Sequence, residues 1–244
     1  PAFYRGSASQ PPPFADVRHM MTTQHAMGTH IQNEDLAEMH RERLSRSKGG
    51  SRSTFSLHDT DLVLVEQHGR CIGSSLWPAA HHLARYMEVW DIESNLPKGF
   101  TCIELGCGVG LPGMCAALLG ALSVDLTDTD EIIPIAQANV DANKLSKVVE
   151  VRELDWALSP LTVTYDLVLA ADVIYAPECY GPLVRALLGS TTRGSIVLLA
   201  YQQRVVSDDT FWDEIAQDFS MELVWSSHPG QLPPALEGRL PDRG

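Results

Sequence analysis

The sequence predicts an α/β fold: a doubly wound, mostly parallel Rossmann-like sheet with helices on both faces, preceded by a short β-hairpin. Three observations carry that expectation. Short apolar strands alternate with amphipathic, helix-like stretches from about residue 100 onward, the pattern of repeated strand-helix units that build a parallel sheet. Tyr165-Asp166-Leu167-Val168-Leu169-Ala170 is nearly continuous in its apolar run, as a central strand buried on both faces requires. Cys102-Ile103-Glu104-Leu105-Gly106-Cys107-Gly108-Val109-Gly110 runs from apolar residues into an acid and then into glycines at alternate positions. That is a buried strand breaking into a backbone loop ahead of a helix.

Taken in order, residues 1–50 hold Pro11-Pro12-Pro13, polar residues and one predicted helix from about Asn33 to Ser47, closed by Gly49-Gly50. Such a composition buries little, so this segment is expected to be a mobile extension or docking arm ahead of one domain over residues 51–244. Thr54 to Glu66 reads as a hairpin interrupted by His58-Asp59-Thr60-Asp61, and Trp77-Pro78 leads into an amphipathic helix from Ala79 to Trp90. Strands are predicted at about 100–105, 122–127, 148–152, 166–171, 195–201 and 221–226, with helices near 111–120, 131–143, 178–189 and 209–218. After Trp225 the prolines at 229, 233, 234 and 241 suit an edge or a loop better than a paired strand.

Composition narrows the function classes. The net charge is −13, and residues 1–50, with six Lys+Arg and five Asp+Glu, account for +1 of it, which leaves −14 on the rest. Such a domain is a poor match for a phosphate backbone and a good one for cationic partners, so no nucleic acid is expected. There is no apolar run of the roughly 18 residues that a membrane helix needs, nor a secretory signal pattern. The expectation is a monomer located in the cytoplasm, with the nucleus as a second location. The five cysteines form no C-x-x-C pair, and His81-His82 diverge on a helix, so neither a disulfide framework nor a metal site is implied.

The candidate site gathers at the carboxyl ends of the predicted strands, where ligands of open α/β sheets bind. Gly108-Val109-Gly110-Leu111-Pro112-Gly113 also fits a dinucleotide fingerprint, and Glu104 discriminates. Its carboxylate would repel a pyrophosphate but attract the ammonium and sulfonium of S-adenosylmethionine. The competing reading is a carboxylate that merely caps the following helix. Asp128 ends the second strand, where a carboxylate can accept both ribose hydroxyls, while Asp125 alternates to the other strand face and Asp130 suits a helix cap. Asp155-Trp156 would give adenine an acceptor and an aromatic neighbour, or else a plain turn and a packing tryptophan. Trp77 would lay an indole over the cationic end of the cofactor, or serve only as packing. Asp172 and Tyr175 follow the central strand and lie beside the expected sulfonium. A lysine, with a pKa near 10.4, must lose a proton and align its lone pair before it can attack a methyl group, and such groups can orient it.

Trp77-Pro78-Ala79, the Glu104–Gly113 run, Thr127-Asp128, Asp155-Trp156 and Asp172-Val173-Ile174-Tyr175 together resemble the seven-stranded protein-lysine methyltransferases of the methyltransferase-like family sixteen group. The resemblance spans about residues 53–225. It implies a class I methyltransferase sheet and S-adenosylmethionine held by Trp77, Glu104, Gly106, Cys107, Gly108, Gly110, Asp128, Asp155, Trp156 and Ala171, with Asp172 and Tyr175 shaping the acceptor site. Methyl transfer to a lysine of a protein substrate is the implied reaction. Transfer to histidine or a small-molecule amine, and a non-catalytic binding module on the same fold, are the alternatives, because fold and cofactor motifs do not fix the acceptor. Tyr201-Gln202-Gln203-Arg204 falls where such enzymes build part of the substrate entrance, or is a polar rim loop.

Overall fold

A computed structural model describes residues 2–5, 19–20, 49–90, 92–201, 209–216, 218–219, 221 and 223–226. Its centre is a five-stranded parallel sheet built from β5 (Thr101–Leu105), β6 (Ser123–Asp128), β7 (Val149–Glu153), β8 (Leu167–Ala171) and β9 (Ile196–Ala200). The spatial order is β7-β6-β5-β8-β9. The chain therefore winds outward from β5 in one direction and returns to start again at β8, which makes the carboxyl ends of β5 and β8 the switch point where a crevice opens.

Side chains alternate across the sheet and bury both faces. Cys102, Leu126, Leu169 and Leu198 pack with the hairpin β3 (Gly49–Leu57)/β4 (Thr60–His68) and with helices α1 (Pro78–Val89), α3 (Leu111–Leu118) and α4 (Ile133–Ala142). Ile103, Val168, Ala170 and Val197 pack with α5 (Tyr180–Ser190) and α6 (Asp209–Ile215). A short helix, α2 (Ile92–Asn95), follows α1. The β7–β8 connection, residues 154–166, contains turns but no helix. Over β6 the second face is closed instead by Tyr165, whose hydroxyl donates to Asp125 Oδ2 at 2.6 Å.

Several expectations are modified. The hairpin is longer than the sequence suggests, running from Gly49 to His68, with His58 at φ 48° in its turn. Asp130 does not cap α4, which starts three residues later with Ile132 at its N-cap and no side-chain cap. The last strand, β10 (Leu223–Ser226), does not join the parallel sheet. It pairs antiparallel with β1 (Ala2–Arg5), which pairs in turn with β2 (His19–Met20). The helix expected over 33–47 and the prolines from 229 onward lie outside the described residues. Tyr201 is buried against Trp212 rather than at an entrance, and 202–204 also lie outside the described residues.

Candidate active site

The loop after β5 is shaped by its glycines. Gly106, Gly108 and Gly110 take φ values of 67°, 55° and 81°, left-handed conformations that side-chain-bearing residues adopt only under strain. At Gly106 space adds to the demand, because a Cβ there would lie 2.8 Å from Val173 Cγ1 and 3.3 Å from Trp156 Cζ2. Much of the loop's hydrogen bonding is turned inward. The N–H of Cys107 donates to the Thr127 carbonyl at 2.9 Å, that of Gly108 to Asp128 Oδ2 at 2.9 Å, and that of Gly110 to the Cys107 carbonyl at 2.8 Å. The first two bonds hold the loop against the end of β6, and the glycines permit both its left-handed turns and its close packing against neighbouring atoms.

Glu104 takes the capping role that the sequence allowed, and it also faces the cavity. Its Oε2 accepts the Gly113 N–H at 2.8 Å, within the first turn of α3, so the carboxylate does cap that helix. It also lines the cavity, and it is 1% exposed with no cation beside it among the described salt bridges. Burial pushes its carboxyl well above the usual carboxylate range, and the charge of Asp128 adds to the effect. Asp128 is raised too, again by burial, although its oxygens accept the N–H groups of Gly108 and Thr129. Neither Glu104 nor Asp128 has an ion pair among the described salt bridges, and Arg70 is the cation that lines their cavity. Glu104 Oε2 and Asp128 Oδ2 each accept one backbone N–H and keep a second lone pair to offer a hydroxyl or an ammonium.

The cavity, about 730 Å³, is lined by Trp77, Glu104, Gly106, Cys107, Gly108, Asp128, Asp155, Trp156, Ala171, Asp172 and Tyr175. Gly110 stands behind it, at the N-cap of α3. Asp155 Oδ1 accepts the Ala157 N–H at 2.8 Å, so it does form the turn that the bland reading expected while also facing the cavity. Trp156 packs over Gly106, and its Nε1 is buried without a hydrogen-bond partner. Trp77 Nε1 donates to the Ile72 carbonyl at 2.9 Å, which fixes the indole at the start of α1. Asp172 is 7% exposed, and its N–H donates to the Ala200 carbonyl at 2.8 Å. Its φ of 61° is a strained conformation for an aspartate, of the kind that clusters at functional positions. Tyr175 is 46% exposed at the mouth, and partial burial of its phenol raises its pKa, keeping the hydroxyl protonated.

This donor set fits S-adenosylmethionine. The volume lies within the roughly 300–1,000 Å³ of small-molecule sites. Glu104, buried, and Asp128, partly buried, have no ion pair among the described salt bridges, and the Trp156 indole N–H lacks an acceptor. A family model described as Lysine methyltransferase matches residues 56–218. This chain belongs to the lysine methyltransferase family. Among curated relatives, the protein N-lysine methyltransferase METTL21A of Danio rerio is 36% identical over 182 residues, covering 71% of this chain and 81% of that protein. The protein-lysine N-methyltransferase EFM6 of Saccharomyces cerevisiae is 30% identical over 61% of this chain and 71% of its own length. EEF1A lysine methyltransferase 3 of Xenopus tropicalis is 31% identical over 70% and 78%. A solved structure, Pyrococcus horikoshii TYW2 in complex with MeSAdo, is similar at TM-score 0.43 and 14% identity, covering 59% of this chain and 50% of that one. As a member of the family the chain is an enzyme that takes its methyl group from S-adenosylmethionine.

This lysine methyltransferase also builds its cavity from residues that sequence reasoning missed. The turn between β4 and α1 contributes Arg70, Cys71, Ile72, Gly73 and Ser75, and the β6–α4 connection contributes Thr129, Glu131 and Ile132. The first of these forms a lip that bonds back to β4. Glu66 Oε2 accepts the Leu76 N–H at 2.7 Å, and Ser74 Oγ donates to the Gln67 carbonyl at 2.7 Å. The only sequence signal for the lip was its Gly73-Ser74-Ser75 turn composition.

Proposed function

We propose that this chain methylates a lysine side chain of a protein substrate, with Asp172 and Tyr175 forming the acceptor site. Bound S-adenosylmethionine supplies an electrophilic methyl group on a positively charged sulfur. Glu104 and Asp128 have the charge and the free lone pairs to hold its ammonium and ribose hydroxyls, and Trp77 and Trp156 the flat faces and N–H donor to flank it.

The observation that carries the acceptor assignment is Asp172, a carboxylate held in a strained backbone at the carboxyl end of β8, in the same cavity as Glu104. A substrate ε-ammonium entering past the exposed Tyr175 meets that carboxylate. Asp172 orients the nitrogen and favours its approach, and the protonated Tyr175 hydroxyl can accept or donate one further hydrogen bond at the mouth. The proton would leave to water, and the freed lone pair would take the methyl carbon as its bond to the sulfonium sulfur breaks, with S-adenosylhomocysteine as the leaving group. No enzyme nucleophile takes part. The acidity of the chain, −13 overall, supports a cationic protein partner over a nucleic acid.

The test is incubation with methyl-labelled S-adenosylmethionine and lysate, with the modified residue read by mass spectrometry. Methyl-lysine on a discrete protein, lost with Asp172→Ala while calorimetry still shows S-adenosylhomocysteine binding, is the expected result. Label on histidine or in the small-molecule fraction would reassign the acceptor. Unchanged labelling by Asp172→Ala would remove Asp172 from the mechanism.

A further inference from the structure

Asn139 lies in the middle of α4 with no exposure to solvent, and its side chain makes three hydrogen bonds to two separate backbones. Its Oδ1 accepts the Val65 N–H at 2.6 Å, and its Nδ2 donates to the Val65 carbonyl and to the Val109 carbonyl, both at 3.0 Å. Both amide hydrogens and one carbonyl lone pair are thereby used, and turning the amide over would set a donor against the Val65 N–H. One turn further along α4, Asn143 treats Val63 in the same manner, accepting its N–H and donating to its carbonyl, both at 2.8 Å. Val63 and Val65 are alternate residues of β4, so two amides spaced by one helical turn satisfy the outer edge of the hairpin as a neighbouring strand would. Asn143 Nδ2 also donates to the Asn139 carbonyl at 2.8 Å and lies 3.7 Å from Met114 Sδ in α3. Only Asn139 also reaches Val109, which sits between Gly108 and Gly110 in the loop of the cavity.

We propose that Asn139 is a positioning residue for S-adenosylmethionine binding: it clasps the glycine loop, through the Val109 carbonyl, to the hairpin strand that also anchors the opposite lip of the cavity. That second anchor is adjacent in sequence, since Glu66 follows Val65 and accepts the Leu76 N–H just before Trp77. A loop with three left-handed glycines has many conformations to lose, and little in its own sequence selects the one seen here. A buried, fully engaged amide selects it without touching the ligand. The inference rests on the glycine loop being the cofactor site.

The experiment compares Asn139→Ser, Asn143→Ser and Asp128→Ala with the parent protein, measuring S-adenosylhomocysteine affinity by calorimetry and thermal unfolding without ligand. Both asparagine variants lose hairpin bonds and unfold at lower temperature. Asn139→Ser alone is expected to raise Kd about tenfold, with Asn143→Ser staying within about twofold of the parent. Equal weakening in the two, or parent-like affinity in Asn139→Ser, overturns the proposal. Parent-like affinity in Asp128→Ala, or no binding by the parent, removes the reading of the site and this proposal with it. If Asn139→Ser does not fold, NMR of the parent protein gives the answer. The Asn139 side-chain amide signals shift on adding S-adenosylhomocysteine while those of Asn143 hold still, and an unmoved Asn139 pair overturns the proposal.

Discussion

Glu104 and Asp128 face one cavity with their carboxyl groups both raised by burial, so the ligand-free protein carries a site that favours protonation. A raised folded-state pKa means that, above the unfolded value of about 4.3, the native state keeps a proton that the unfolded chain has released. The contribution of Glu104 to stability therefore falls as pH rises from about 4.3 toward its folded value. Glu104→Gln keeps an acceptor for the Gly113 N–H but has no charge to bury. Ligand-free, this variant should unfold at a higher temperature than the parent at about pH 8, with the gap closing toward about pH 5. Its affinity for S-adenosylmethionine should drop by tenfold or more, on the order of the 1.5–3 kcal/mol of a charge-assisted bond. Thermal scans across pH and calorimetry check both halves; a variant less stable than the parent at every pH would mean that burial does not penalise the charged carboxylate in the free protein. Gly113 makes a steric counterpart. A Cβ there would collide with the Leu126 side chain and come within 2.9 Å of Glu104 Oε2. Gly113→Ala should lower stability by about 1–3 kcal/mol through overpacking. It should also weaken cofactor binding by displacing the carboxylate, whereas unaltered calorimetric affinity would show that Leu126 alone yields.

Among the elements, the β7–β8 connection carries a distinct expectation because it brings no helix to the second face of β6. Tyr165 and Asp125 close that face, with Arg152 Nη1 3.5 Å from the same carboxylate oxygen. They stand near the start of β8, at the opposite end of the strands from Asp172. Tyr165→Phe leaves a largely buried carboxylate short of its 2.6 Å donor and should cost about 1–2 kcal/mol of stability. Denaturant unfolding should show that loss while kcat and KM at a permissive temperature stay those of the parent; a fall in kcat would mean the two ends of the sheet are coupled. The strands themselves were legible because buried parallel strands are short apolar runs, and Glu104, Asp128 and Asp172 were legible because each follows or closes such a run. The lip at 70–76 was not, since its shape depends on bonds back to Glu66 and Gln67 in β4. Asn139 and Asn143 were not either. An asparagine inside a helix carries no local signal of the strand it satisfies many residues away.

At the scale of the molecule, the sequence conveys the order of strands and the rim they share, and it cannot convey pairings between distant segments. Leu223–Ser226 was readable as a strand, yet its partner is Ala2–Arg5, at the other end of the chain, and no periodicity encodes that. Charge, in contrast, is a whole-chain property that sequence states directly. At −13 overall, with exposed Glu131 and Glu178 near the mouth of the cavity and Arg70 as the cation lining it, the enzyme should attract a basic protein over distances beyond contact. The Debye length shrinks from about 30 Å at 0.01 M salt to about 8 Å at 0.15 M, so that attraction is largely lost across this range. Short contacts made by a seated substrate are screened far less. Raising salt should therefore lower kcat/KM for the protein substrate by about tenfold or more, mainly through KM, while kcat at saturating substrate changes little. The KM for S-adenosylmethionine, a small molecule less dependent on long-range steering, should move less than that of the protein. Steady-state kinetics across a salt series would decide it, and a protein-substrate KM indifferent to salt would mean that recognition depends on shape and apolar contact rather than on the acidity of this chain.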